Sequence, residues 1–324
     1  MTDRYARQII LSEVGAEGQT RLAAASVLVV GAGGLGCPVL QYLAGAGVGH
    51  ITIVDHDRVE AVNLHRQPLY TMSDIGSFKA RAARRALSRL NPAIKIDAIA
   101  ERLTPDNSER LVSDTDVVVD AADSFAATFV LSDTCQHQRK PLISASVIGL
   151  AGYVGGFCGG GPSYRAVFPD MPSTAATCAT TGVLGTAVAV LGSLQAQFAL
   201  NLILGLKPSP LGRLVTFDAG RLAFGGFAFV DAPEPAGITF RFIAASAVKN
   251  DDVVVDLRSF AEAPTSPFAN ALRVGVEDVD KIADQIPTAT RVVLCCRSGL
   301  RASQAAKRLA ERGLINLAVV AMGE

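Results

Sequence analysis

Tryptophan is absent from the 324 residues, and aromatic side chains make up only 6% of them. Stacking platforms for single-stranded nucleic acid need such rings, so that class of function is disfavoured. An excess of charge is lacking too, because 30 Lys and Arg balance 30 Asp and Glu. This argues against a bulk nucleic-acid binder and against an acidic disordered tail. Cysteine is sparse: Cys37, Cys135, Cys158, Cys178, Cys295 and Cys296 are scattered, and none forms a C-x-x-C motif. A closed tetrahedral zinc site and a disulfide framework both lack support. The first residues, MTDRYARQ, have no apolar h-region, so no secretory signal is expected and a reducing, cytoplasmic location is.

Charge is scarcest between Pro141 and Leu206, where only Arg165 and Asp170 carry any. The run from Gly182 to Leu206 is long enough to cross a hydrocarbon layer of about 30 Å. Yet Gly182, Gly185, Gly192 and Gly205 interrupt it, Ser193, Gln195, Gln197 and Asn201 lie along it, and no aromatic belt or basic flank brackets it. A buried helix, partly at a subunit contact, is the expectation, with no membrane partner.

What is present builds a core readily: 49% of residues are apolar and 19% charged. The length suggests two domains. SVLVV, HITIVD, DVVVD and PLISA read as strands, alternating with helical patterns over 78–90, 106–113 and 125–138. Such alternation implies a mainly parallel sheet covered on both faces. After residue 145 the pattern becomes antiparallel strands flanking a long helix. DAPEPAG at 231–237 reads as a linker. A second, shorter αβ pattern follows: DVVVDLR, a helix over 278–286, RVVLCC, a helix over 300–312 and INLAVV.

Gly31-Ala32-Gly33-Gly34-Leu35-Gly36 follows a strand and opens a helix, the arrangement that lets backbone approach a phosphate. Asp55 ends the next strand, where a carboxylate accepts ribose hydroxyls. These features leave NAD and ATP both open. Asp57, Asn63, Arg66, Gln67 and Lys79 add phosphate-binding and acidic groups that a dehydrogenase does not need. Triphosphate chemistry uses them: cations neutralise departing pyrophosphate and a carboxylate holds Mg²⁺. Asp123, just past the strand DVVVD, is placed for that metal.

The ordered motifs RYARQI, VGAGGLGCPVLQYLAGAGVG, DHDRVEAVNLHRQ, GSFKA, Asn91-Pro92 and TGVLGTAVAVLGSLQ make the chain from Arg4 to Phe229 resemble a known family. It is the ubiquitin-activating-enzyme-like adenylyltransferases of bacterial sulfur-carrier systems, the molybdopterin-synthase and thiamine-biosynthesis activating enzymes. The resemblance implies a Rossmann-like mixed sheet with a parallel half and an antiparallel extension. It implies that ATP adenylates the C-terminal Gly-Gly of a ubiquitin-like carrier. Asp55 would hold the ribose; Asn63, Arg66 and Lys79 would contact phosphates, with Gln67 nearby; Asp123 would bind Mg²⁺. Arg7 would reach the neighbouring subunit's phosphates in a homodimer. Cys178 resembles the cysteine that some relatives use for acyl or persulfide transfer, with a buried structural thiol as its alternative. The chain departs from the family at Ser124 and Thr128, where Asn and Arg are usual. Ser163-Tyr164-Arg165-Ala166 stands where a zinc C-x-x-C is usual, and the second pair is missing, so structural zinc is not expected.

Cys296-Arg297-Ser298-Gly299-Leu300-Arg301 follows a strand and starts a helix. Backbone N–H groups and two guanidinium groups around such a thiol bind anions. The loop resembles that of a rhodanese, in which the cysteine carries a persulfide, and Asp256-Leu257-Arg258 resembles the same fold's D-x-R. Four residues separate Cys296 from Arg301, one fewer than a cysteine phosphatase needs. The module looks trimmed, reading SPFANALRVG in its middle and ending in VVAMGE. The expected organisation is an adenylyltransferase domain over 1–232, a linker over 233–240 and a smaller rhodanese-like α/β domain over 241–324. The expected reaction is carrier adenylation, then thiocarboxylate formation with sulfur from thiosulfate or a cysteine desulfurase persulfide. The alternatives are a non-catalytic carrier-docking protein and an NAD-dependent oxidoreductase.

Overall fold

The computed structural model describes residues 3–171, 182–236 and 240–323. Short β-branched runs make the first strands: β1 (Ser26–Val30), β2 (His50–Val54), β3 (Lys95–Ile99) and β4 (Val117–Asp120). They pair in parallel with β5 (Pro141–Ile148). The nearly unbroken apolar sequence of β1 and β4 suits strands covered on both faces, while β3, at the sheet edge, carries Lys95 and Asp97. Antiparallel β6 (Ala151–Cys158), β7 (Arg213–Asp218) and β8 (Ala223–Ala228) complete one eight-stranded sheet, order β3-β2-β1-β4-β5-β6-β7-β8. The expected parallel half and antiparallel extension are both present.

Helices close the two faces. After α1 (Ala6–Ile9) and α2 (Gly15–Ala24) come α3 (Gly36–Ala46) and α4 (Lys79–Leu90), which bury an apolar face on one side of the sheet. The other side takes α5 (Pro105–Ser113) and α6 (Phe125–Gln138). Thr104 and Asn107 form a reciprocal capping box that starts α5, with Pro105 in its first turn, where a missing N–H costs nothing. The short α7 (Tyr164–Val167) follows β6. The charge-poor run forms α8 (Gly185–Leu204), which is long and apolar enough to cross a membrane, with a mean hydropathy of 1.7. Here it lies against the sheet, with Ala187, Leu191, Ala199 and Leu204 in the core. A Cβ at Gly192 would sit 2.5 Å from the Leu35 carbonyl oxygen, so the glycine that interrupts the run is what lets α8 approach the turn before α3.

The last part of the chain forms a second sheet, entirely parallel, of five strands. β9 (Arg241–Phe242), β10 (Val253–Asp256), β11 (Leu272–Arg273), β12 (Val292–Cys296) and β13 (Leu317–Ala321) lie in the order β11-β10-β12-β13-β9. β9 and β11, two residues each, carry no apolar run by which sequence could find them. The helix expected over 278–286 is shorter: a 3₁₀ turn at Val276–Asp278, then α9 (Asp280–Ala283). Arg308 on α10 (Leu300–Glu311) donates to the carbonyls of Val276 and Glu277 and pairs with Asp280. It satisfies turn carbonyls that a longer helix would have used itself.

Candidate active site

The glycine loop crosses the carboxyl ends of the parallel strands. Gly31 has φ 95°, and its N–H donates to Val54 O at 2.9 Å. A Cβ there would lie 2.5 Å from Ala121 O; one at Gly34 would lie 2.8 Å from Val188; one at Gly36 would collide with Gly31 O. Only at Gly33 is the space open, with the Gln67 amide nitrogen 3.7 Å away. The loop is thus packed on its inner side and bare on its outer side, in front of the N-terminus of α3, as a phosphate cradle requires.

Asp55 is buried beneath this loop. One carboxylate oxygen accepts the Ala32 N–H at 2.7 Å and the other the Asp57 N–H at 2.8 Å. Burial raises its pKa against the opposing pull of the Ala32 amide and the Lys79 charge. Each oxygen keeps a second lone pair for a ribose hydroxyl. Lys79, first residue of α4, is buried, with Nζ 2.8 Å from Asp57. For Asp57 burial works upward, but the Lys79 bond and charge, with His56 and Arg102, hold its pKa below the usual carboxylate range. Arg66 donates to Asn63 Oδ1 at 2.9 Å. Gln67 is buried, and its Oε1 has no hydrogen-bond partner among the described residues. These residues come from the loops after β1 and β2 and from α4, and the fold gathers them at one edge.

Asp123 is exposed in the turn between β4 and α6. Behind it Asp120 has no exposed surface and accepts the hydroxyls of Thr128 at 2.7 Å and Ser144 at 2.8 Å. Burial pushes Asp120 up to about 6. Thr128, noted in sequence only as a departure, thus has a definite partner. Asp55, His56 and Asp57 also offer ligand atoms within 4.8 Å of one another. Carboxylate oxygens are the donors that magnesium takes alongside phosphates, so the edge fits such an ion in kind. Arg7 is exposed on α1 and forms no hydrogen bond or ion pair among the described residues. Cys178 lies outside the described residues.

In the second sheet Cys296 is the last residue of β12, with no exposed surface. Its sulfur accepts the N–H groups of Gly299 at 3.1 Å and Ala302 at 3.4 Å. Gly299 reaches this position with φ 85°, a conformation that favours glycine. Arg297 and Ser298 are exposed, and Leu300 is buried. Arg301 does not simply embrace the thiol: it forks onto both carboxylate oxygens of Glu262, at 2.8 and 2.6 Å, and donates to Leu257 O. Arg258 is bidentate to the buried Asp256, which Arg273 also approaches at 3.6 Å. Cys295, expected to be the strand's last buried residue, is buried one place earlier on the opposite face, and desolvation raises its pKa to about 12.

Sequence reading missed Tyr70, whose buried hydroxyl donates to Ala32 O at 2.7 Å and fixes the glycine loop from below. It also missed Arg102, which bonds His56 at 2.9 Å, and Glu262. None lies in a motif, and each acts through a contact distant in sequence.

A glycine-cradled helix N-terminus, a buried acidic residue at the second strand and a lysine-carboxylate pair define a nucleotide-binding α/β protein with charge-neutralising groups at the phosphate edge. The chain belongs to the ThiF family, whose model matches residues 5–235. Over 224 residues it is 47% identical to the adenylyltransferase and sulfurtransferase MOCS3 of Culex quinquefasciatus, covering 68% of this chain and 51% of that protein. It is 45% identical over 230 residues to the sulfur carrier protein adenylyltransferase of Thermus thermophilus, covering 68% and 85%. It is 42% identical to the SAMP-activating enzyme E1 of Haloferax volcanii, covering 68% and 83%. The chain thus spans about half the length of the MOCS3 relatives it matches. Among solved structures, Escherichia coli MccB with ATP has a similar fold, with a TM-score of 0.63 at 22% identity over 74% of each chain. The family match ends before the Cys296 loop.

Proposed function

We propose that this protein is a cytoplasmic, homodimeric adenylyltransferase that uses ATP to activate the C-terminal glycine of a ubiquitin-like sulfur-carrier protein. The observation that carries this reading is the convergence of the bare Gly33 edge, Asp55, the Lys79–Asp57 pair and the Arg66–Asn63 pair. The names of the relatives support the carrier as substrate. The carrier's carboxylate oxygen attacks the α-phosphorus, the bond to the β-phosphate oxygen breaks, and pyrophosphate leaves. Lys79 and Arg66 neutralise the charge that accumulates on it. Asp55 holds the ribose, and Gln67 faces the cradle. Asp123 would hold Mg²⁺, which when bound neutralises part of the triphosphate charge. Arg7 reaches the phosphates of a second copy.

Residues 1–232 form the adenylyltransferase domain, 233–240 the linker and 241–324 a trimmed rhodanese-like domain. The Cys296 thiolate takes a sulfane sulfur from thiosulfate, releasing sulfite, or from a desulfurase persulfide, releasing its thiolate. The terminal sulfur attacks the acyl-adenylate: a C–S bond forms, the C–O bond to AMP breaks, and an acyl disulfide remains on Cys296. A thiol then attacks Cys296 Sγ and releases the thiocarboxylate; a second thiol resolves the mixed disulfide, so a dithiol reductant closes the electron balance. In this reading Cys178 assists by making one of these attacks.

Carrier-dependent exchange of labelled pyrophosphate into ATP tests the activation step. Exchange with a Gly-Gly carrier, and a thiocarboxylate on that carrier by mass spectrometry once a sulfur donor is added, is the expected result. ATP binding without exchange for every carrier tried would overturn it.

A further inference from the structure

We infer that the C-terminal module is stapled to its own chain so that Cys296 serves the nucleotide site of the same protomer. The inference rests on the proposed function and adds the route of the sulfur. The staple is at Ser163 and Arg165. Ser163 donates its backbone N–H and its hydroxyl to the two carboxylate oxygens of Glu234, at 2.7 and 2.6 Å. Two residues on, Arg165 forks onto Asp133 of α6 at 2.6 and 2.9 Å and donates to Phe240 O at 3.2 Å. One short segment therefore grips the linker on both sides, at Glu234 and at Phe240. A bidentate arginine pair of this kind fixes orientation as well as distance.

Phe242 continues the joint. Its ring lies 6.4 Å from that of Phe129 on α6, and a Cβ at Gly299 would be 2.6 Å from it. The same ring thus touches the first module's core and the Cys296 loop. Along α10, Ser303 bonds Met171 and Lys307 pairs with Asp170 at 2.8 Å. At the other end Met322 N donates to Cys296 O, and Gly323 N donates to Arg297 O, both at 2.9 Å. A Cβ at Gly323 would lie 2.8 Å from Arg102 Cζ, and Arg102 in turn bonds His56, beside Asp55 and Asp57. A short series of contacts thus joins the Cys296 loop to the carboxyl end of β2, where the nucleotide edge lies. Cys296 is covered in this arrangement, so its loop opens for transfer; the staple makes it open beside its own adenylate. Holding the two reacting groups on one rigid frame raises their effective concentration.

Arg165→Ala and Glu234→Ala, assayed in the full chain with carrier, thiosulfate and dithiothreitol, test this. Carrier-dependent pyrophosphate exchange and thiosulfate sulfurtransferase activity should both persist, while coupled thiocarboxylate formation falls at least about tenfold. An unchanged coupled rate would overturn the proposal. A second arm does not depend on the staple variants folding: Lys79→Ala and Cys296→Ala chains are co-expressed and purified together. Delivery within one chain leaves the mixture without thiocarboxylate. Delivery between chains restores about a quarter of the wild-type rate, since half of randomly paired dimers are mixed and each has one competent pairing; that recovery would refute the inference. Exchange without any thiocarboxylate from the wild-type chain would refute the proposed sulfur transfer itself, and delivery within one chain with it.

Discussion

Asp120 holds a fully buried carboxyl that accepts two hydroxyls, from Thr128 and Ser144. Burial leads the effects on its pKa, raising it from 3.8 to about 6. Between those values the folded protein binds a proton that the unfolded chain has released. Stability therefore falls as pH rises from about 4 to about 6 and is level above, by roughly 3 kcal/mol. Asp120→Asn should flatten that slope, as measured by urea denaturation across pH 4 to 7; an unaltered slope would assign it to other groups. Lys79→Ala should lower carrier-dependent exchange by about a hundredfold or more, because it removes charge stabilisation from departing pyrophosphate. Cys296→Ala should abolish thiosulfate sulfurtransferase activity and leave exchange unchanged; loss of both would contradict the division of labour between the two sheets.

At the scale of elements, the turn between β1 and α3 is the least forgiving. Gly31→Ala would put a methyl 2.5 Å from Ala121 O on a residue with φ 95°. A cost of about 2–4 kcal/mol is expected, with loss of ATP binding by calorimetry, since the loop must shift to fit. This turn was legible in the sequence because glycine spacing encodes it locally. So were the strand at 26–30 and the helix at 125–138, from β-branched runs and helical pattern. The ion pairs were not. Asp57 meets Lys79 across 22 residues and Arg301 meets Glu262 across 39, and no periodicity reports such partners. The burial of Cys296 was equally hidden, because a strand's last residue and a loop's first differ only in what packs on them. Ser163 and Arg165 read as a lost metal site; their actual partners, Glu234, Asp133 and Phe240, emerge only once the linker is folded back.

For the molecule as a whole, zero net charge coexists with paired charges at both loops: Lys79 meets Asp57 at the nucleotide edge and Arg301 meets Glu262 beside the Cys296 loop. The two sheets are unequal, with eight strands and five. Residues 3–236 contain a complete sheet with helices on both faces. A chain ended at residue 236 should therefore keep carrier-dependent exchange within about twofold and lack thiosulfate activity altogether. Failure of this shorter chain to fold would show that Phe242 and its neighbours support the first core as well as join the second.

The joint at Ser163, Arg165 and Glu234 also bears on chemical durability. It is closed by oxygen and nitrogen atoms alone. A cysteine-clamped metal at that place would be attacked by the same sulfane sulfur that the protein is proposed to handle, and stripped by chelators. A hydroxyl, a guanidinium and carboxylates have no chemistry with polysulfide. The joint is built from atoms indifferent to the cargo proposed for this protein.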